Sequence, residues 1–515
     1  MKLQARLAML YGIGLGCGIA TDLASQVPTF AEWHAPVERL IAYPDGPHHR
    51  GLIADFNLDG VPDIVHPWMP TFFTGPRDII HVWLSDGIGS FVAGTPIQFP
   101  ATPFGITFAV MACVAVDLDS DGDLELIAAF VGGDFGTTVW GPMLTFENDG
   151  TGKFTLEPIW RFPPSFRSVC RELLAFDVDQ DGDDDVIMLP FWNEGFPTLF
   201  RNDGRGYFQE VPGALPPVSP LWGNCIAVDL DHDGDLDFVG TTRGTIDRPE
   251  IWLNDGNGLF LPASHGIPVM SADDVDFGDV DRDGHVDLLF GAYGLRPQLW
   301  LGDGRGAFVD STHRVRIVAG LSYHEMVQLV DFDRDGWLDI LYLEHGVVRL
   351  QRNPGPGSGI FDDFTPRLIP QGSSGNARFI DTDRDGDLDL LVGTIPSTHI
   401  LTNLARQIHA NDPSPGGQLD IDLYGPPGNL ASYALSFARH DLRLPGLGWW
   451  ALDPTLSVSW PQTVTLPASG TVRSSWSIPN DPGLIGVEVF VQSMQIDVSA
   501  QTPHLTGFWK STIRR

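Results

Sequence analysis

Seven times the chain repeats one nine-residue pattern, Asp-x-Asp-x-Asp-Gly-x-x-Asp, with only two substitutions. The copies begin at Asp55 (DFNLDGVPD), Asp117 (DLDSDGDLE), Asp177 (DVDQDGDDD), Asp229 (DLDHDGDLD), Asp279 (DVDRDGHVD), Asp331 (DFDRDGWLD) and Asp381 (DTDRDGDLD). Their starts lie 62, 60, 52, 50, 52 and 50 residues apart. A fixed motif at such a period marks a repeat architecture, in which each unit buries its apolar faces against its neighbours.

The motif also has a chemistry. Calcium is a hard cation that takes six to eight oxygen ligands. Alternate carboxylates at positions 1, 3 and 5 converge when a loop curls round an ion, and Gly at position 6 permits the sharp turn. Position 7 needs to offer only its carbonyl, so its side chain varies: Val61, Asp123, Asp183, Asp235, His285, Trp337, Asp387. Position 9 closes the cage. The expected ligands are Asp55, Asn57, Asp59 and Asp63; Asp117, Asp119, Asp121 and Glu125; Asp177, Asp179, Asp181 and Asp185; Asp229, Asp231, Asp233 and Asp237. The last three copies supply Asp279, Asp281, Asp283 and Asp287; Asp331, Asp333, Asp335 and Asp339; Asp381, Asp383, Asp385 and Asp389. All are carboxylates except Asn57. Up to seven Ca²⁺ are therefore expected. A metal-free turn is a poor alternative, because four carboxylates in one short loop repel one another. Magnesium is disfavoured by its tighter octahedron. An EF-hand is excluded by context: no Glu stands at position 12, and strand-like runs flank the loops.

Those flanking runs, such as CIAVD before the motif and LDFVG after it, are short, apolar and β-branched, and predict strands. Farther on comes an apolar strand with a Gly-rich turn: WLSDGIGSF (83–91), FENDGTGKF (146–154), FRNDGRGYF (200–208), WLNDGNGLF (252–260) and WLGDGRGAF (300–308). Asp-Gly between alternating residues is a hairpin signal. Each repeat thus holds four antiparallel strands, which is a propeller blade. The fold class is all-β: a seven-bladed β-propeller of four-stranded blades followed by a small β-sandwich. The sixth repeat has a distorted hairpin, QRNPGPGSGIF, and the seventh lacks it. A spare strand-like stretch, 29–44, precedes the first motif and is expected to supply the missing outer strand of blade seven.

These residues resemble the FG-GAP/VCBS repeats, also found in integrin α-subunit propellers, over residues 29–405. The resemblance implies calcium in the loops on one face of the disc. It implies extracellular roles in adhesion, ligand recognition or scaffolding, and names no partner.

With 31 basic against 66 acidic residues the net charge is −35, which excludes nucleic acid and anionic membranes as partners. Much of that acidity is the footprint of the loops. Residues 1–24 read as a signal peptide, with Lys2 and Arg6 before the apolar stretch 7–20, too short to span a membrane. A secreted or cell-surface protein follows. Lipoprotein processing at Cys17 is the alternative, with Gly14 where Leu is usual. Cys113 and Cys225 occupy equivalent strand positions and are expected as buried free thiols; Cys170 could pair with either if the strands meet.

After the propeller, 406–417 reads as a polar linker and 418–515 as a β-sandwich of alternating strands. Within it, SIPNDPGLIGVEVFVQSMQIDV is similar to a β-rich module at the C-termini of secreted bacterial repeat proteins. Trp449, Trp450 and Trp460 are more readily core residues than a sugar platform.

The face opposite the metals carries the longer connections and their aromatics. Trp68, Phe73, Trp192 and Trp222 are the candidate partner-binding residues, with Trp160, Phe162 and Phe166 beside them; packing between blades is the competing use. The expected function is a monomeric extracellular module binding protein or glycan. The alternative is a polysaccharide-active enzyme of lyase or dehydratase type. His48, His49, Arg50, Tyr323, His324, Glu325 and His345 are its scattered candidates, and none has a recognisable catalytic spacing.

Overall fold

A computed structural model describes the strands of the propeller and of the C-terminal region with many of their connections, within residues 30–514. Outside it lie 1–29, 32–36, 39–51, 68–78, 99–107, 133–138, 164–169, 191–195, 218–222, 243–247, 317–323, 333–335, 364–373, 383–386 and shorter segments. The signal peptide, Cys17, Trp68, Phe73, Trp160, Phe166, Trp192, Trp222, His48, His49, Arg50, Tyr323 and His345 fall among these.

The chain forms seven blades, at 52–93, 108–156, 170–210, 225–262, 272–310, 324–363 and 374–403. Blade four shows the common plan: Cys225–Val228, Asp237–Gly240, Glu250–Asn254 and Phe260–Pro262 pair in sequence order, all antiparallel. Blade six keeps a short fourth strand, Asp362–Asp363, despite its altered hairpin. In blade seven the third strand, Ser397–Asn403, pairs with the N-terminal segments Phe30–Ala31 and Val37–Glu38. The chain's beginning thus completes its last blade.

First strands of successive blades contact one another around the axis. Side chains there complete backbone bonds between blades: Asp274 Oδ2 accepts the Val327 N–H (2.9 Å), Asp276 Oδ2 the Leu329 N–H (2.7 Å) and Gln328 Oε1 the Phe379 N–H (3.1 Å).

Both faces of each blade are buried, so the second strands read as nearly continuous apolar runs rather than alternating ones. Alternate residues serve opposite neighbours. Leu126 and Ala128 pack toward blade one, whereas Ile127 and Ala129 pack toward blade three. Seven apolar clusters result, one at each seam, and the seventh joins Ile64 and Phe91 of blade one to Ile380, Leu391 and Ile400 of blade seven. At the seam of blades three and four, Trp252 is fully buried and stacks on Phe238 at 4.2 Å. Each such side chain contributes about 1.5–3 kcal/mol by burial.

Of the two uses weighed for Phe162, packing between blades is the one observed. It is buried between blades two and three, stacked on Phe208 at 4.4 Å. Cys113, Cys170 and Cys225 are all buried and none is in a disulfide, so Cys170 pairs with neither. Its Sγ instead donates to the Glu172 carbonyl, and burial pushes the Cys113 thiol up to about 12.

The C-terminal region has two main sheets. One contains Ile408–Ala410, Gln418–Tyr424 and Thr471–Ser477; the other contains Ser457–Val458, Leu430–Ser436, Glu488–Asp497 and Thr502–Thr512. They share a core of Leu419, Ile421, Leu423, Tyr433, Leu435, Val489 and Val491, as a sandwich does. Part of the expected linker is therefore a strand. Its Pro and Gly residues form a hairpin turn, with Gly416 at φ 79° and the Gly417 N–H donating to Ser414 O. No helix among the described residues is long and apolar enough to cross a membrane.

Candidate metal centres

Each motif is the turn between the first two strands of a blade. Position 1 directly follows the first strand, and position 9 is always the first residue of the second. Position 6 has φ between 85° and 97° in the six described loops. In blades two to five, a Cβ on that glycine would meet no atom within 4 Å. The glycine is needed for its backbone conformation, not for space. Position 4 is also left-handed, at Leu58, Gln180, His232 and Arg282 (φ 57–61°), although none is glycine. Four separate loops hold this strained turn, which cups the motif.

Inside the cup, position 1 accepts the glycine N–H at 2.7–3.3 Å in six loops. Oδ1 of position 5 accepts the position-7 N–H at 2.8–3.1 Å in the first five. Position 9 is the deepest. Asp237 is fully buried; one oxygen accepts the Leu230 N–H (2.8 Å), the other the Asn254 N–H (2.9 Å). Asp63, Asp185, Asp287, Asp339 and Asp389 repeat this bracket between the metal loop and the third strand. A carboxylate has about four lone-pair sites, so two remain for a cation.

Positions 1, 3 and 9 converge: Asp177, Asp179 and Asp185; Asp229, Asp231 and Asp237; Asp279, Asp281 and Asp287; and Asp117, Asp119 and Glu125 each offer oxygens within 4.8 Å of one another. In blade two, Asp121 and Asp123 form a second such group with Glu125. In blades three to five the position-5 carboxylates stand outside the converging set. In blade one, Asp55, Asn57, Asp59 and Asp63 share the same hydrogen-bonding plan. Asp333, Asp335, Asp383 and Asp385 lie outside the described residues, so the sixth and seventh loops are seen only through Asp331, Asp339, Asp381 and Asp389.

The electrostatics demand a positive charge. Burial, more than the neighbouring carboxylates, pushes Asp63, Asp185, Asp237 and Asp287 up to about 7 and Glu125 to about 8, against the pull of their backbone donors. Asp231 and Asp281 are also raised, by burial and then by Asp233 and Asp283. The buried Oδ1 atoms of Asp179, Asp231 and Asp281 accept no hydrogen bond. Converging, unsatisfied carboxylate oxygens are hard donors, and they fit a hard divalent cation.

One set of residues escaped the motif reading. In the second hairpin, the Asn at the end of the third strand is an inter-blade clamp in blades two, four and six. Asn148 Nδ2 donates to Phe56 O (2.9 Å), Asn254 to Val178 O (2.8 Å) and Asn353 to Val280 O (3.0 Å). Each acceptor is position 2 of the preceding blade's metal loop. The recurrent Asn in FENDG, FRNDG and WLNDG was the available signal.

The fold and its loops define a class, the seven-bladed β-propeller with converging acidic residues in the first turn of its blades. The model of the FG-GAP-like repeat matches residues 177–240, 229–290, 279–342 and 331–392. Residues 177–392 match FG-GAP-like repeats, and the chain folds as a seven-bladed β-propeller. Among solved structures, an Agrocybe aegerita lectin recognising non-reducing terminal N-acetylglucosamine is 20% identical, with a TM-score of 0.41 over 68% of this chain and 86% of that one. A Schwanniomyces occidentalis β-fructofuranosidase is 9% identical, with a TM-score of 0.32 over 96% and 97%. An Aspergillus awamori exo-inulinase is 10% identical, with a TM-score of 0.30 over 91% and 95%. No curated protein matches the sequence.

Proposed function

We propose that this chain is a secreted calcium-binding β-propeller that acts as an extracellular binding or adhesion module for a protein or glycan. The observation that carries the metal is the buried, unsatisfied convergence of positions 1, 3 and 9 at equivalent places in successive blades. Calcium takes the four motif side chains and the position-7 carbonyl of each loop, up to seven ions in all. Its role is structural: it neutralises carboxylates that also bracket the third strand. Secretion rests on the charged-then-apolar character of residues 1–24. Residues 418–515 act as a separate sandwich domain.

The partner surface is the face opposite the metals. Phe196, in the connection between the second and third strands of blade three, is 62% exposed, and Leu295 occupies the same connection in blade five at 39%. Trp68, Phe73, Trp192 and Trp222 belong to the same group of connections by sequence. The first experiment is a calcium titration with thermal melts and ion counting on the mature protein. A large rise in Tm with several ions bound supports the reading; an unchanged melt removes it. A glycan and extracellular-protein screen at saturating calcium follows, with Phe196→Ser as the surface control. A hit equally strong in that variant would place the partner elsewhere.

A further inference from the structure

The metal loops touch one another around the ring. Position 4 of one loop reaches positions 6 and 7 of the next. Gln180 Nε2 donates to Gly234 O and to the Asp235 carboxylate. Arg282 donates to Gly336 O (2.8 Å) and lies 4.4 Å over the Trp337 ring. At the seam between them, of blades four and five, the pair is His232 and His285, with Nε2 of the first 3.1 Å from Nδ1 of the second and ring centroids 5.2 Å apart.

We propose that His232 and His285 form a site for a borderline transition-metal dication, Zn²⁺ or its like, separate from the carboxylate loops. Imidazole nitrogen suits such ions, whereas calcium takes oxygen, so saturating calcium fills the loops and leaves the imidazoles to the borderline ion. The spacing fits. Two nitrogens each about 2.0–2.1 Å from one ion lie roughly 3.3 Å apart at a tetrahedral angle and roughly 2.9 Å apart at a right angle. The observed 3.1 Å falls between these.

The backbone under each imidazole is held by its own loop. His232 sits at φ 61°, a conformation imposed by the motif turn, and the main-chain N–H of His285 donates to Asp283 Oδ1 at 2.8 Å. The site is therefore assembled by blade packing, without any rearrangement of either loop. His232 is exposed, so water completes the coordination. The adjacent Asp233 and Asp235 give the pair an acidic surround that favours a cation. The neighbouring contacts, amide to carboxylate and guanidinium to indole, cannot chelate, so among the described seams this one alone has two imidazoles. An ion bound here would staple blade four to blade five.

The test uses the full mature chain with calcium held at saturation. Zn²⁺ is titrated alone, by calorimetry and by thermal melt. One zinc bound with a rise in Tm is expected. His232→Asn, which suits a left-handed backbone, and His285→Gln should each weaken zinc binding at least about tenfold in calorimetry at saturating calcium. Two results would overturn the proposal: no zinc binding over calcium, or equal affinity in both variants, which would place the ion in the carboxylate loops or at other histidines.

Discussion

The side-chain amide of Asn254 donates to the backbone carbonyl of Val178, 2.8 Å away. A residue in the second hairpin of blade four thus grips the metal loop of blade three. Its Oδ1 meanwhile accepts the Gly258 N–H at 3.2 Å, which holds the hairpin to itself. Loop, hairpin and seam are one polar unit, which recurs at Asn148 and Asn353.

Asn254→Ala should cost about 1–3 kcal/mol, the penalty of leaving buried backbone groups without partners. Asn257→Ala, which removes a side-chain bond only to Asp255 O of its own turn, should cost little. Urea denaturation of the calcium-loaded protein would compare them. Equal effects would deny the clamp its role.

Asp237→Asn tests the bracket. Both carboxylate oxygens accept backbone N–H groups, so an amide nitrogen would face a donor. A loss of roughly 2 kcal/mol is expected with or without calcium. Asp231→Ala behaves differently: Oδ1 of Asp231 accepts nothing, so the loss should be large with calcium and small in chelator. Melts of both variants in each condition separate the two roles.

Stability should depend on pH in opposite senses with and without metal. In the calcium-free fold, Asp63, Asp185, Asp237 and Asp287 titrate at about 7, above their ordinary value of 3.8. The fold therefore holds more protons than the unfolded chain between those values. Its stability is fullest below about pH 4 as far as these groups are concerned, and is lost as pH rises through about 7. Calcium requires the carboxylates ionised, so its stabilisation grows over the same interval. Tm against pH, in chelator and in calcium, reads both slopes; a chelated protein most stable at pH 8 would contradict this.

Leu58 tests the turn. It occupies φ 57° and is 55% exposed. Leu58→Asn should stabilise by up to about 1 kcal/mol, since Asn adopts this backbone readily. Gly234→Ala should destabilise by about 1–2 kcal/mol through conformation alone, because no atom stands near the new methyl. Denaturation midpoints of the two variants would show opposite shifts.

Deleting residues 30–38 should lower Tm and broaden the melt, since blade seven would keep three strands and an open edge. An unchanged, sharp transition would mean the N-terminal pairing contributes nothing.

The blades were legible because the motif fixes phase. Once Asp55 through Asp389 mark one turn per repeat, the apolar runs on either side can only be the first two strands. The site was legible in its residue types, less so in their division of labour. Sequence spacing treats Asp233 and Asp237 alike, yet one caps its own turn and the other is buried beneath the site. That difference arises from the third strand, which is distant in sequence. Phe162 was ambiguous for a related reason: a connection that looks exposed in sequence dips into the seam between blades. The run from Pro413 to Gly417 misled because linkers and hairpin turns draw on the same residues.

Phe30 stands opposite Asn403. A chain made from its N-terminus presents Phe30 before the first blade and Asn403 only once the seventh is complete. The ring therefore cannot close during synthesis. The opening strand must wait until the seventh blade arrives, and the early blades can pack on one another before the circle is joined.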